Sequence, residues 1–271
     1  MAINTIRIMV ETMTTFARFE HEGQARYGIV GDGSISEIEG GLFGSHERTG
    51  RVLGLAEVKL LVPCEPSKVL AVGLNYKSHL GTRPAPSNPE IFYKPVTCLQ
   101  NPGDPIVVPP DAVDCHFEGE LVVVIGKTIR NASLEEAAAA VFGATCGNDV
   151  SDRNWQRGAN ADRQWWRAKG CDTFGPLGPW IVTGLNYGDL ALETRVDGEL
   201  LQEQRTSDLI FNVPETIAFL SRYITLTPGD VVYTGTPGNT RRMLPGETVS
   251  ITLEGIGVLS NPVVAGVSSI G

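Results

Sequence analysis

Glu118, Gly119 and Glu120 open a strand-like run, Leu-Val-Val-Val-Ile, and Asp149 follows further on among Gly147, Asn148 and Ser151. In a β-strand alternate side chains share a face, so Glu118 and Glu120 project together, roughly 7 Å apart along the chain. Two like charges held that close repel, and unpaired buried anions are costly, so a cation between the carboxylates is the economical reading. Three hard oxygen donors, with no Cys or His patterned among them, favour Mg2+ or Mn2+ over zinc, and Ca2+ is also compatible. An octahedral ion so held keeps open positions for water or substrate. The alternative is a solvated Glu-x-Glu on an edge strand.

These residues need a scaffold, and the chain is long enough to supply one: 271 residues with 42% hydrophobic content accommodate one large domain, or a large and a small one. A formal charge of -9 argues against nucleic acid or an anionic membrane as partner. A small anionic substrate then needs a cation or local Arg and Lys to hold it. No apolar stretch approaches the roughly 18 residues of a membrane span, and the first residues lack a signal-peptide pattern, which points to the cytoplasm. Cys64, Cys98, Cys115, Cys146 and Cys171 are scattered without a Cys-x-x-Cys, as expected of reduced thiols.

The segment from Met13 reads as a meander with turns at Glu22-Gly23 and Gly31-Asp32-Gly33, residues 1–12 being a dispensable extension. Gly40 to Glu57 has no firm period, and Pro63 with Pro66 marks a boundary between a small N-terminal β-rich domain (1–63) and a larger catalytic domain (64–271). Beyond it come a Lys-Val-Leu-Ala-Val-Gly strand and a Gly- and Pro-rich stretch, His79 to Pro89, suited to a mobile loop or lid. Ser133 caps a helix that leads on to Asp149. Gly175-Pro176-Leu177-Gly178-Pro179 is expected to stop any regular element, after which strand patterns resume at Trp180. Val213-Pro214 opens a helix of about ten residues, and the tail alternates short strands with Gly-Pro turns. The balance is mainly β with a few helices (α+β), without the alternation that a doubly wound parallel sheet requires.

Taken in order, the blocks Val72-Gly73-Leu74-Asn75-Tyr76-Lys77-Ser78-His79, Phe92-Tyr93-Lys94-Pro95, Glu118-Gly119-Glu120-Leu121, Asn148-Asp149-Val150-Ser151-Asp152-Arg153, Lys169-Gly170-Cys171-Asp172 and Thr234-Gly235-Thr236-Pro237-Gly238 resemble the fumarylacetoacetate hydrolase family. The likeness runs from about Val69 to Val264. It implies a mixed β-sheet roll, a divalent metal on Glu118, Glu120 and Asp149, and a homodimer. It also implies a small 2-oxo or 2,4-dioxo acid substrate whose oxygens reach the metal, which stabilises a developing enolate.

Through the resemblance His79 matches a lid histidine that activates water or shuttles a proton. Hydrolytic members place a Glu three residues later, where this chain has Thr82. A hydroxyl can orient an imidazole but cannot stabilise imidazolium by charge. Lys169 matches a lysine near the metal; a solvated lysine is the ordinary alternative. Arg153 and Gln156 are spaced to bind substrate or support Asp149, or simply to cap the turn. Thr236 resembles a position that holds the substrate carboxylate, though a bare Thr-Pro-Gly turn looks the same. Tyr76, Trp155, Trp165 and Trp166 are candidates for the distal pocket wall, and His116 shares the face of Glu118 and can support it. The leading expectation is hydrolysis of an acylpyruvate-type 2,4-dioxo acid of the kind formed in aromatic catabolism. The alternative is a decarboxylase, lyase or isomerase of an oxaloacetate-like acid, and the third a catalytically weak metal-binding member.

Overall fold

Hydrophobic alternation and turn chemistry resolve, in a computed structural model that describes residues 12–267, into a mainly β architecture of two large sheets and a two-stranded one, Cys115–His116 with Ser151–Asp152. The larger sheet has twelve strands: ten run in the order His46–Gly54, Ser34–Gly40, Gln24–Gly31, Thr14–His21, Gly175–Thr183, Val141–Asn148, Gly119–Ile125, Val231–Tyr233, Val69–Gly73 and Glu90–Lys94, and off this path Lys59–Leu60 pairs with Thr14–His21 and Leu99–Gln100 with Gly175–Thr183. A five-stranded sheet (Glu199–Arg205, Ala191–Val196, Thr248–Leu253, Gly257–Ala265, Ile106–Val108) packs against it. This is the mixed-sheet roll, with its small N-terminal β unit, that the sequence implies. The suggested extension at residues 1–12 lies almost wholly outside the described residues.

The strand Gly119–Ile125 is buried on both faces, which explains its near-continuous apolar run. Leu121, Val123 and Ile125 enter the core shared with the five-stranded sheet and the helix Val213–Tyr223. Val122 and Val124 enter a second core with Leu177, Ile181 and Tyr233. Two hairpins turn where the sequence places them, with positive φ at Glu22-Gly23 and Asp32-Gly33, and a third turns in the same way at Asp197-Gly198. Ser133 caps the helix Leu134–Ala140 by accepting from the Glu136 N–H, and Asn212 caps Val213–Tyr223 through Glu215 in the same way.

Two segments depart from expectation. Gly175 to Pro179 does not end regular structure, because it forms the first half of the central strand Gly175–Thr183. The ladder to Val141–Asn148 is irregular between Ala144 and Cys146, which accommodates Pro179, a residue with no N–H to donate. The helix after Ser133 does not lead straight to Asp149 either: the eight-residue strand Val141–Asn148 intervenes.

That strand fixes the site. Paired antiparallel with Gly119–Ile125, it sets Asn148 opposite Gly119 and Gly147 opposite Glu120, so Asp149 emerges beside Glu118, whose carbonyl accepts its N–H at 2.9 Å. Gly119 has no room for a side chain, since a Cβ there would run into the Thr194 hydroxyl, and its N–H donates to the Gln202 side chain at 3.1 Å. Gly119→Ala is therefore expected to cost about 1–3 kcal/mol by overpacking and to weaken divalent-cation binding by shifting both glutamates. Urea unfolding and a metal titration check this; a variant equal to wild type in both would contradict it.

Candidate metal centre and its cavity

Glu118, Glu120 and Asp149 converge as the packing above dictates: one carboxylate oxygen from each lies within 4.8 Å of the others, and all three side chains are buried. Glu118 and Asp149 are matched by cations. Lys169 Nζ donates to Glu118 Oε2 and Asp149 Oδ2, both at 2.6 Å, and Lys94 Nζ donates to Asp149 Oδ1 at 2.7 Å and also to the Lys169 carbonyl. Arg153 lies 2.5 Å from Glu118 Oε1. Glu120 has no such partner among the described residues and accepts only the Gly235 N–H, at 2.7 Å.

This asymmetry separates the two glutamates. Burial pushes the Glu118 carboxyl up, but Arg153, Lys169 and His79 outweigh it and hold the group well below the usual carboxylate range. Burial together with the Asp149 and Glu118 charges drives Glu120 well above that range. A buried carboxylate pressed by two like charges and short of a cation is where a divalent ion fits, and the all-oxygen donor set suits a hard one. Burial lowers the Lys94 pKa, but Asp149 more than reverses this, so its ammonium persists.

His79 ends the short 3-10 turn Lys77–His79, and no regular element follows before Glu90. Its Nδ1 lies 2.6 Å from the Gly238 carbonyl. A carbonyl only accepts, so Nδ1 carries the proton and Nε2 is left bare in the neutral ring. Nε2 lies 3.9 Å from Glu118 Oε1. Burial outweighs the pull of Glu118 and keeps the imidazole pKa below its ordinary value, favouring the neutral form at pH 7.

A cavity of about 180 Å³ joins these groups, lined by His79, Glu118, Glu120, Asp149, Arg153, Gln156, Lys169, Thr236 and Trp165 together with Val72, Gly73, Leu74, Phe92 and the outer residues Arg83, Glu90 and Arg157. Gln156 accepts from Arg153 at 2.7 Å. The Thr236 hydroxyl donates to the Gly119 carbonyl and receives the Gln202 amide, each at 2.9 Å. His116 bonds Thr240 at 2.8 Å, Thr240 receives Arg153 at 3.0 Å, and so His116 supports Glu118 at two removes. Tyr76 stands apart: it is fully buried, its hydroxyl has no hydrogen-bond partner among the described residues, and it borders a different groove with Gln204 and Asp208. Trp155 is packed in the core and Trp166 is 65% exposed, so of the four aromatic candidates only Trp165 lines the cavity.

Lys94 was assigned no role from sequence. The signal was present, however: it shares a strand face with the buried Phe92 in Glu90–Lys94, and a lysine on an inward face demands an anion.

Comparison with known proteins agrees with this geometry. Residues 68–264 match the family model described as fumarylacetoacetate (FAA) hydrolase C-terminal, and residues 15–63 match one described as Rv2993c-like, N-terminal. Protein Rv2993c of Mycobacterium tuberculosis is 47% identical, covering 82% of this chain and 84% of its own. An oxaloacetate tautomerase, FAHD2B, mitochondrial, of Bos taurus is 36% identical over 92% of this chain and 80% of its own. Among solved structures, a 5-carboxymethyl-2-hydroxymuconate delta-isomerase from Mycobacterium smegmatis superposes with a TM-score of 0.87 at 45% identity, covering 93% of this chain and 100% of its own. A maleylpyruvate hydrolase from Sphingobium sp. SYK-6, in complex with manganese(II) ion and pyruvate, gives 0.78 at 30% identity with the same coverage. Among the described residues no helix is long and apolar enough to cross a membrane.

Proposed function

This chain belongs to the fumarylacetoacetate hydrolase family, and on that premise we propose that it is a divalent-metal-dependent tautomerase or isomerase that interconverts keto and enol forms of a small 2-oxo acid of the oxaloacetate type. Hydrolysis of an acylpyruvate, the first expectation from the sequence, becomes the second reading. The observation that carries the preference is the setting of His79. Its Nδ1 is held by a backbone carbonyl, and Thr82 is exposed and makes no hydrogen bond to it among the described residues. No carboxylate at residue 82 stands behind the imidazole to stabilise a charged state during attack by water. Moving one proton to and from carbon asks less of it. The named tautomerase and isomerase relatives support the same preference.

Charge supports an anionic substrate. The three carboxylates and the ammonium and guanidinium groups of Lys94, Lys169 and Arg153 cancel formally. A divalent ion, Mg2+ or Mn2+, then adds two positive charges that a 2-oxo carboxylate in its enolate form would neutralise. When bound, the ion supplies Lewis-acid stabilisation of negative charge on the substrate oxygens. Lys169 adds a fixed ammonium on the same side, already desolvated and oriented by two carboxylates. His79 Nε2 takes the proton from the carbon next to the oxo group and, as imidazolium, delivers it to the enolate oxygen to form the enol, the reverse transfer giving the keto form, while Gly238 holds the ring in the starting tautomer. Phe92 and Trp165, packed edge to face with ring centroids 5.4 Å apart, bring apolar surface to the cavity wall and limit water there. A homodimer fits the same reading: the outer strand Glu90–Lys94 borders a groove of about 940 Å³ beside the exposed Tyr93, Val96 and Trp166.

The test is product identity. Metal-loaded protein incubated with oxaloacetate and with acetylpyruvate should accelerate enol–keto interconversion of the first and release little acetate and pyruvate from the second. Thr82→Glu should raise acetylpyruvate cleavage by roughly tenfold, a fraction of the 10²–10⁴ that a positioned base provides, and His79→Ala should remove that gain. Fast release of pyruvate by the wild-type chain would restore the hydrolytic reading.

A further inference from the structure

We propose that Arg83 and Arg157 form a second anion subsite at the outer end of the cavity, selecting 2-oxo acids that carry a distal carboxylate over those that end in an apolar group. This deepens the proposed function and rests on its placement of the oxo-acid head at Glu118, Glu120 and Asp149. Both arginines line the same cavity as those carboxylates and are exposed, whereas Arg153 is buried and Gln156 half-buried. Unlike Arg153, neither lies within ion-pair distance of a carboxylate among the described residues. Arg83 is steadied by backbone alone: its Nε donates to the Leu80 carbonyl at 3.1 Å and one terminal nitrogen reaches the His79 carbonyl at 3.5 Å. The Arg157 side chain has no hydrogen-bond partner among the described residues. Its pKa is lowered, first by partial burial and then by the nearby charges of Arg153 and Arg83, which Glu118 and Asp114 only partly offset.

The charge count points the same way. The inner groups and a divalent ion are balanced by the enolate and carboxylate of the substrate head, so two guanidiniums remain uncompensated. Glu90 is the one further carboxylate on the wall, and it pairs with neither. A planar guanidinium pair recognises a carboxylate with directed N–H donors, which a single lysine does less well. Neither residue carries a local signal in the sequence, because a loop arginine is ordinarily a solvated one.

Two measurements test the subsite. Calorimetry on the Mg2+-loaded protein should find oxaloacetate bound at least about tenfold more tightly than pyruvate, a charge-assisted contact being worth roughly 10–100-fold. Arg157→Gln and Arg83→Gln should each reduce that ratio, the double variant should bring it near one, and Arg157→Lys should retain part of it. In kinetics, the glutamine variants should raise KM for oxaloacetate far more than KM for its C4 methyl ester, with kcat for the two affected alike. A double variant that keeps the wild-type preference overturns the proposal, as does an equal loss on acid and ester, which would mean that the arginines only brace the loop or Glu90. If the protein tautomerises neither compound yet shows the binding preference and loses it with the arginines, the subsite stands and the assigned reaction falls.

Discussion

Chelating the divalent cation is expected to abolish turnover, and Mg2+ or Mn2+ should restore it, because the three carboxylates offer no other means of stabilising an enolate at their centre. The ligand variants sharpen this. Glu120→Gln removes the charge that no lysine or arginine matches, so it should weaken cation binding by more than about 100-fold, beyond the 10–100-fold seen when only an outer partner of a ligand is lost. The same substitution removes an acid that the folded, cation-free protein must protonate or hold against the Asp149 and Glu118 charges, so the cation-free protein should become more stable, not less. Opposite signs for metal affinity and apo stability are the signature to seek, by isothermal titration and by urea unfolding in chelator. Glu120→Gln with full activity and undiminished affinity would remove Glu120 from the metal centre. Tighter binding of zinc would not count against the site, since zinc outranks magnesium and manganese at almost any such donor set.

Lys94→Met is expected to produce the largest stability loss of any single change at the site. Its side chain is fully buried, and its ammonium bridges Asp149 and the Lys169 carbonyl. Removing one partner of a buried pair costs about 3–5 kcal/mol because the other charge is stranded. Lys169 still faces Asp149 at 2.6 Å, which places the expectation toward the lower end of that range. Saturating Mg2+ should recover part of the loss by supplying a new partner for Asp149. The double variant Lys94→Met/Asp149→Asn should be more stable than the Lys94→Met single variant, since the carboxylate that Lys94 leaves stranded is removed with it. A single variant within about 1 kcal/mol of wild type, the range of a surface pair, would show that Lys94 is not the partner its burial makes it.

What the sequence revealed follows from what leaves a local trace. Glu118 and Glu120 were legible because carboxylates at the head of an apolar strand conflict with burial, and Asp149, which lies between strands, through the short motif around it. Hairpin turns were legible because Asp-Gly and Glu-Gly pairs at positive φ have few alternatives. His46–Gly54 was not, because a largely exposed outer strand carries no burial alternation. Val141–Asn148 was hidden by Gly, Ala, Thr and Cys, small residues chosen for close packing and not for strand propensity; at Gly143 and Gly147 a Cβ would meet Ile181 or Tyr233. The partner of Asp149 across 55 residues, Lys94, and the distance of Tyr76 from the cavity depend on tertiary packing that no window of sequence contains.

The central claim is that the cation-bearing carboxylates and His79 together move a proton at the carbon beside the oxo group. Proton exchange reads that step directly. In deuterated water, with Mg2+-loaded protein and oxaloacetate, nuclear magnetic resonance should show deuterium entering C3 faster than in protein-free Mg2+ controls. The excess should vanish in Asp149→Asn and fall by about 10²-fold or more in His79→Ala, the usual contribution of a general base. Exchange no faster than the Mg2+ control in the wild-type protein, with acylpyruvate cleavage proceeding normally, would contradict the account and assign the site to hydrolysis.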